Sequence, residues 1–123
     1  MRAIVVDDSR AMRLILRKHL IALGFEVLEA GHGREALAAL DGMSDVDLAL
    51  VDVNMPEMGG VELVAALRKQ QALASLRVLM VSSEQDFDTM QAALEAGAND
   101  YLMKPFTPDG LMSKLELLGI SKG

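Results

Sequence analysis

The sequence contains no cysteine and no tryptophan, and aromatic residues make up only 3% of the chain. The missing thiols exclude a disulfide scaffold, a thiolate zinc site and a cysteine nucleophile, and they are typical of a reducing cytoplasm. So few aromatic rings exclude a stacking platform for single-stranded nucleic acid. No apolar run approaches the roughly 18 residues of a membrane span. We therefore expect a cytoplasmic protein without membrane insertion.

The charge balance is acidic, because 12 lysines and arginines stand against 18 aspartates and glutamates, which gives a net charge of −6. Nucleic acids and anionic membranes attract basic proteins, so neither is expected to bind this chain. A metal cation suits the composition better. With 123 residues, 51% of them hydrophobic, the chain can build one core, and we expect a single domain over residues 1–123.

Short runs rich in valine, isoleucine and leucine alternate with longer stretches in which apolar residues recur at helical spacing. This alternation predicts an α/β fold in which helices cover both faces of a parallel sheet, so that the sheet is doubly wound. The predicted strands cover residues 3–6, 26–30, 48–51, 78–81 and 100–103. The predicted helices cover residues 9–23, 33–40, 60–69, 86–97 and 107–118.

Several predicted helix ends carry capping residues. Gly24 suits the left-handed conformation that ends a helix, and Asp86 is predicted to cap the fourth helix. Thr107 followed by Pro108 is typical of a helix start. The apolar residues that should bury one face of the first helix are Met12, Ile15, Leu16, Leu20 and Leu23.

Polar residues follow four of the five predicted strands at their carboxyl ends. Ligands of open α/β sheets bind at this edge, so one shared site explains the pattern better than four unrelated capping loops. The residues are Asp7 and Asp8 after the first strand, Asp52 after the third, Ser82 and Ser83 after the fourth, and Lys104 with Pro105 after the fifth.

Three neighbouring carboxylates raise one another's pKa unless a cation neutralises them. Mg²⁺ prefers oxygen ligands and commonly shares them with a phosphate, so Asp7, Asp8 and Asp52 predict a magnesium site that acts on a phosphoryl group. Lys104 would pair with that group as a point charge, and the Ser82 hydroxyl would donate a hydrogen bond to it. Asp52 then remains as the nucleophile that forms an aspartyl-phosphate.

Four segments carry distinctive combinations of residues. They are Asp7 and Asp8 in VVDDSR, Asp52, Met55, Pro56 and Gly60 in VDVNMPEMGG, Ser82 in VSSE, and Gly97, Asp100, Tyr101, Lys104, Pro105 and Phe106 in GANDYLMKPF. Over nearly the whole chain the sequence resembles the receiver domain of two-component response regulators, especially its stand-alone chemotaxis members. The resemblance implies a flavodoxin-like fold with strand order 2-1-3-4-5. It also implies a signalling protein, not an enzyme, in which a histidine kinase or histidine phosphotransfer protein phosphorylates Asp52.

The same resemblance assigns roles within the site. It implies that Asp8 binds Mg²⁺ directly, that Asp7 does so largely through water, and that Asn54 offers its backbone carbonyl. It further implies a cis peptide bond between Lys104 and Pro105.

Two loop positions next to the site match family positions that tune hydrolysis of the acyl phosphate. They are Asn54 and Glu84, although polar residues are equally suited to a surface turn. Ser83 stands where the family has a small residue, so access of the phosphodonor is not expected to be impaired.

Tyr101 matches the aromatic switch of the family, which turns inward when the hydroxyl corresponding to Ser82 moves to the phosphate. The alternative is an ordinary tyrosine of an edge strand. The resemblance implies a downstream protein target that reads a face of the fourth helix, fifth strand and fifth helix. On this face we expect Met90, Tyr101, Met103 and Lys114.

Two further groups of basic or titratable residues have two interpretations each. Arg10, Arg13 and Arg17 recur on one helical face, which suits either an acidic kinase surface or plain solvation. His19 and His32 lack metal-ligand spacing and are interpreted as structural or surface residues.

A Mg²⁺-dependent phosphohydrolase of the haloacid-dehalogenase type is the alternative function. Such enzymes place an Asp-x-Asp nucleophile on the first strand and the acidic pair late, whereas here Asp7 and Asp8 precede Asp52. A flavodoxin is disfavoured because the two aspartates of the first loop would repel a bound phosphate.

Overall fold

Strands and helices alternate along the chain in the computed structural model, which describes residues 1–53, 55, 58–83 and 87–120. The strands are β1 (Arg2–Val6), β2 (Glu26–Ala30), β3 (Leu48–Asp52), β4 (Arg77–Ser82) and β5 (Asp100–Met103). The helices are α1 (Arg10–Ala22), α2 (Gly33–Leu40), α3 (Gly60–Arg68), α4 (Phe87–Ala96) and α5 (Pro108–Leu117). The predicted boundaries agree within one or two residues wherever the chain is described. A 3₁₀ turn at Gln71–Leu73 was not predicted.

The strands form one parallel sheet in the order β2-β1-β3-β4-β5, which confirms the predicted topology. The central strand β3 is buried at all five of its positions. Strands buried on both faces are typical of parallel sheets, because crossover helices cover each face. Over the described residues, no helix combines the length and apolarity that a membrane crossing requires.

The two faces of the sheet carry separate apolar layers. Helices α1 and α5 pack on one face, and α2, α3 and α4 pack on the other. Alternate side chains of each strand enter opposite layers, as Ile4 and Val5 of β1 do. Burial of each large apolar side chain contributes about 2 kcal/mol to folding. The core therefore holds the sheet edge in place from both sides.

The apolar stripe of α1 is narrower than the periodicity predicted. Leu16 and Leu20 are buried, but Ile15 is 46% exposed, so its predicted place in the core is wrong. One residue turns a helix by about 100°, which moves Ile15 away from the Leu16 stripe. Ile15 instead lines a shallow surface pocket beside Phe106.

Side chains cap three helices at their N-termini. Ser9 accepts a hydrogen bond from the Met12 N–H (3.2 Å), and Thr107 accepts one from the Gly110 N–H (3.0 Å). His32 caps α2 through its Nδ1, which accepts from the Glu35 N–H (3.2 Å). His32 is therefore a structural residue, which was one of the two interpretations of the sequence.

Glycines follow two of the described helices, and the left-handed conformation predicted for Gly24 is confirmed. Gly24 follows α1 with a φ of 95°, and Gly97 follows α4 with a φ of 124°. Residues that carry a side chain rarely adopt a positive φ, so glycine is favoured at both positions. The predicted cap of α4, Asp86, lies outside the described residues.

Gly60 lets the start of α3 approach the end of β3 closely. Its N–H donates to the Val53 carbonyl at 3.1 Å. A Cβ at this position would lie 2.8 Å from the backbone oxygen of Asp52 and 2.9 Å from Cε of Met80. No real Cβ contact is that short, so a side chain here would displace the end of β3.

We expect Gly60→Ala to lower the free energy of unfolding by about 1–3 kcal/mol, because overpacking must move backbone. Urea denaturation measures the loss. Gly59→Ala is the matched control, since the nearest atom to its Cβ would be 4.0 Å away. Equal losses in the two variants would contradict this explanation.

Candidate functional site

The predicted polar residues meet at the carboxyl edge of the sheet. Asp7 and Asp8 follow β1, Asp52 ends β3, Ser82 ends β4, and Lys104 follows β5. One carboxylate oxygen from each of the three aspartates lies within 4.8 Å of the others. Parallel strands bring these residues together because their carboxyl ends all lie on the same side.

The Lys104 ammonium lies between two of the carboxylates. Its Nζ is 3.5 Å from Oδ1 of Asp52 and 3.7 Å from Oδ2 of Asp7. The backbone N–H of Lys104 donates to the backbone carbonyl of Ser82 at 2.7 Å. This bond continues the pairing of β4 and β5 one residue past the end of β5. The peptide bond from Lys104 to Pro105 is cis, as the resemblance implied.

The acidic groups are strained electrostatically. The pKa of Asp52 is raised from its ordinary 3.8 to about 6, chiefly by burial and next by the nearby Asp7 carboxylate. Lys104 acts in the opposite direction, and Asp8 raises the pKa of Asp52 further. Burial likewise raises the pKa of Asp7, against the opposing effects of the Ser9 N–H and of Lys104. One lysine thus leaves the three carboxylates short of positive charge.

The oxygens of Asp7 differ in how they are satisfied. Oδ1 accepts from the Ser9 N–H at 2.8 Å. Oδ2 is buried and has no hydrogen-bond partner among the described residues, with the Lys104 ammonium at 3.7 Å. A buried oxygen without a partner costs free energy, which a hard divalent cation would recover. The donor set of three carboxylates therefore fits Mg²⁺.

Ser82 is fully buried, and its hydroxyl is already engaged. Its Oγ donates to the Ser83 carbonyl at 3.0 Å, and Ser83 itself is half-buried. In the register of the sheet, Ser82 pairs with Met103 and Met80 pairs with Tyr101. Ser82 and Tyr101 therefore project toward the same face of the sheet.

Tyr101 is half-buried and is held from α5. The ammonium of Lys114 lies 4.7 Å from the centre of its ring, a cation–π contact. Lys114 also pairs with Oδ1 of Asp100 at 3.2 Å, and that oxygen accepts from the Tyr101 N–H at 2.8 Å. Asp100 and Lys114 together restrain the tyrosine.

Met90 does not belong to the expected surface. It is only 2% exposed because it enters the layer between the sheet and α3 and α4, so its predicted place on the partner-binding face is wrong. Met103 and Tyr101 pack partly against the same layer and retain some exposure.

The basic residues of α1 are not equivalent. Arg13 donates from Nη1 to the backbone oxygen of Asp7 at 2.6 Å and from Nε to Glu29 at 3.3 Å. Arg17 pairs with the other oxygen of Glu29 at 2.8 Å, whereas Arg10 is exposed. Plain solvation, one of the two interpretations of this face, is therefore wrong for Arg13, whose side chain is only 19% exposed. The acidic kinase surface stays a prediction. Helical spacing showed the shared face but could not reveal Glu29 across from it.

His19 packs edge-on against Phe106, with ring centres 6.4 Å apart. Asn54 and Glu84, the two predicted tuning positions, lie outside the described residues, as does Pro56 of the VDVNMPEMGG segment.

Comparison with known proteins defines the class of this fold and site. The response regulator receiver domain family matches residues 3–116, so the chain belongs to that family. It is 43% identical over 119 residues to the chemotaxis protein CheY1 of Helicobacter pylori, covering 96% of each chain. It is 44% identical over 125 residues to the CheY homologue of Campylobacter jejuni, covering all of this chain and 96% of that one.

A solved structure of the chemotaxis protein CheY4 of Vibrio cholerae is similar with a TM-score of 0.87 at 36% identity. The match covers 95% of this chain and 97% of that one. The chain is therefore a CheY-like receiver domain of two-component signalling. The family does not favour the alternative of a haloacid-dehalogenase-type phosphohydrolase.

The raised pKa of Asp52 predicts a pH-dependent stability in the absence of metal. Because the pKa is higher in the folded chain, ionisation of Asp52 opposes folding. This cost is absent below the ordinary pKa of 3.8 and fully present above about 6. In EDTA at pH 7, we expect Asp52→Asn to be more stable than the wild type by about 1–3 kcal/mol.

Urea denaturation at pH 7 and pH 4 checks this prediction. The advantage of Asp52→Asn should disappear near pH 4, where the wild-type carboxyl is protonated. Asp41→Asn is the control, since Asp41 is exposed and follows α2 at the opposite edge of the sheet. An advantage that is the same at both pH values would show that charge is not its cause.

Proposed function

We propose that this chain accepts a phosphoryl group on Asp52 from a histidine kinase or a histidine phosphotransfer protein, in a Mg²⁺-dependent reaction. The observation that carries the proposal is the ammonium of Lys104 within 3.7 Å of Asp7 and Asp52 in a cluster of three carboxylates. The role of the family in two-component signalling supports a cytoplasmic location and a downstream protein target.

Asp7, Asp8, Asp52 and the backbone carbonyl of Asn54 would hold the Mg²⁺. When bound, it supplies the positive charge that the carboxylates and the phosphoryl oxygens need. The exposed carboxylate of Asp8 suits direct ligation. Following the family resemblance, Asp7 is proposed to act largely through water; its Oδ1 already accepts from the Ser9 N–H, which leaves Oδ2 for that water. The role of Asn54 rests on the family resemblance.

Asp52 is proposed as the nucleophile. Its carboxylate oxygen forms a P–O bond while the P–N bond of the phosphohistidine donor breaks, and the imidazole leaves with the bonding electrons. Lys104 would move from its carboxylate partners toward a phosphoryl oxygen and neutralise part of its charge. The chain catalyses only the phosphorylation and dephosphorylation of its own Asp52, which is why it is not classed as an enzyme.

Ser82 and Tyr101 are proposed to transmit the phosphorylation. A phosphoryl oxygen on Asp52 offers the Ser82 hydroxyl a charged acceptor in place of the Ser83 carbonyl. Movement of Ser82 toward it would free space on the face of the sheet that Tyr101 shares. Tyr101 would then turn inward and change the face formed by α4, β5 and α5, on which Tyr101, Met103 and Lys114 are partly exposed.

We expect Asp52→Asn to take up no phosphoryl group from acetyl phosphate, because the amide preserves the shape but is a poor nucleophile. Intact-mass spectrometry should show one phosphoryl adduct on the wild type with Mg²⁺ and none with EDTA. Asp41→Asn should behave like the wild type. A full adduct on Asp52→Asn would refute the assignment, and release of many phosphates per chain would instead indicate a phosphohydrolase.

We expect Ser82→Ala to remain phosphorylatable but to lose most of the switch. Phosphorylation is expected to raise partner affinity by about 5- to 150-fold, the typical coupling between two sites. Ser82→Ala should lose most of this increase. NMR of the beryllofluoride-treated chain should show shifts at the aspartate cluster in both proteins. Shifts at Tyr101 and Lys114 should be large in the wild type and in the exposed control Ser44→Ala, but small in Ser82→Ala. Beryllofluoride-induced shifts at Tyr101 that are as large in Ser82→Ala as in the wild type would disprove this route.

A further inference from the structure

We propose that Arg13 is a positioning residue for the acidic cluster and that it sets the affinity for Mg²⁺; the inference rests on the proposed function. Arg13 lies in the first half of α1 and does not contact a carboxylate of the cluster directly. Its Nη1 donates to the backbone oxygen of Asp7 at 2.6 Å. This is a short hydrogen bond from a charged donor, the kind that is stronger than one between neutral groups.

The bonded carbonyl belongs to the peptide group that joins Asp7 to Asp8. A peptide group is planar, so holding its oxygen fixes the rotation of the whole plane. That rotation sets ψ of Asp7 and φ of Asp8, and with them the directions in which both side chains leave the backbone. One guanidinium can therefore orient two of the three carboxylates.

The rest of Asp7 is held just as closely. Its N–H donates to the Ala30 carbonyl at 3.1 Å, and its Oδ1 accepts from the Ser9 N–H at 2.8 Å. With Arg13 on the carbonyl, only Oδ2 has no hydrogen bond among the described partners of Asp7. The arrangement presents that one buried oxygen to the cluster.

Glu29 on β2 aims the guanidinium. Its Oε1 accepts from Nε of Arg13 at 3.3 Å, and its Oε2 pairs with Arg17 at 2.8 Å. The side chains of Arg13 and Glu29 are only 19% and 26% exposed, so solvent screens their interaction less than on an open surface. Because Glu29 is fixed by two arginines, Arg13 has little freedom to leave the carbonyl.

A purely structural role would be to fasten α1 to β2. Arg17 provides the comparison, because it binds the same glutamate from the same helix but makes no contact with Asp7 in the described structure. Removing Arg17 weakens only the attachment of α1 to β2. Removing Arg13 also releases the peptide group between the two aspartates.

Titration with Mg²⁺, monitored both by calorimetry and by amide NMR, tests the proposal. We expect Arg13→Gln to weaken Mg²⁺ binding by about 10- to 100-fold, the usual effect of losing a group that orients a metal ligand. Arg17→Gln should change the affinity by less than about twofold. Arg13→Lys should restore part of the affinity, because an ammonium can still donate one charged hydrogen bond to the carbonyl.

Amide shifts in EDTA give a readout that does not depend on metal. In Arg13→Gln we expect shifts at Asp8 and Ser9 that Arg17→Gln lacks. Urea denaturation of each variant shows whether it is folded, and Arg13→Lys replaces Arg13→Gln in the comparison if the latter is unfolded.

Equal Mg²⁺ affinities in the Arg13 and Arg17 variants, with a wild type that binds Mg²⁺, would overturn the positioning role alone. So would affinity losses that merely follow the losses of stability. A wild type that neither binds Mg²⁺ nor accepts a phosphoryl group would overturn the proposed function, and this inference with it.

Discussion

The confinement of three carboxylates beside one ammonium at the edge of a parallel sheet is the constraint on which the rest of the structure depends. Two of the three side chains, Asp7 and Asp52, are almost fully buried, and burial raises the pKa of each. A buried excess of negative charge favours unfolding until a cation or a proton relieves it. The remainder of the chain must therefore supply enough stability to hold the charges together.

That stability comes from elements that approach the cluster without adding polar groups to it. The strands end in the cluster but are almost wholly apolar before it, and both of their faces are covered by helices. Gly60 lets α3 start directly against the end of β3, which carries Asp52. Such a design trades stability for the proposed reactivity, because the groups that oppose folding are those proposed to bind a cation and to accept a phosphoryl group.

The sequence predicted the strands, the helices and the meeting of the polar residues, since these follow from periodicity and from the rule that parallel strands end at one edge. The strand order came from family resemblance alone. Periodicity misplaced Ile15, and the expected output face misplaced Met90, because neither helical spacing nor resemblance shows what packs against a residue. The contact of Arg13 with Asp7 was missed for the same reason: Glu29, which orients the arginine, lies 16 residues further along the chain.

The ion pairs of the outer strands have a second consequence. In the described sheet, β2 and β5 are the edge strands, whose outer backbone groups are potential templates for a strand of another molecule. Glu26 and Glu29 of β2 are bound by arginines, and Asp100 of β5 is bound by Lys114. An incoming strand would have to displace or desolvate these charges. The ion pairs that join the outer strands to neighbouring helices and to β1 therefore also oppose edge-to-edge aggregation of a chain with very apolar inner strands.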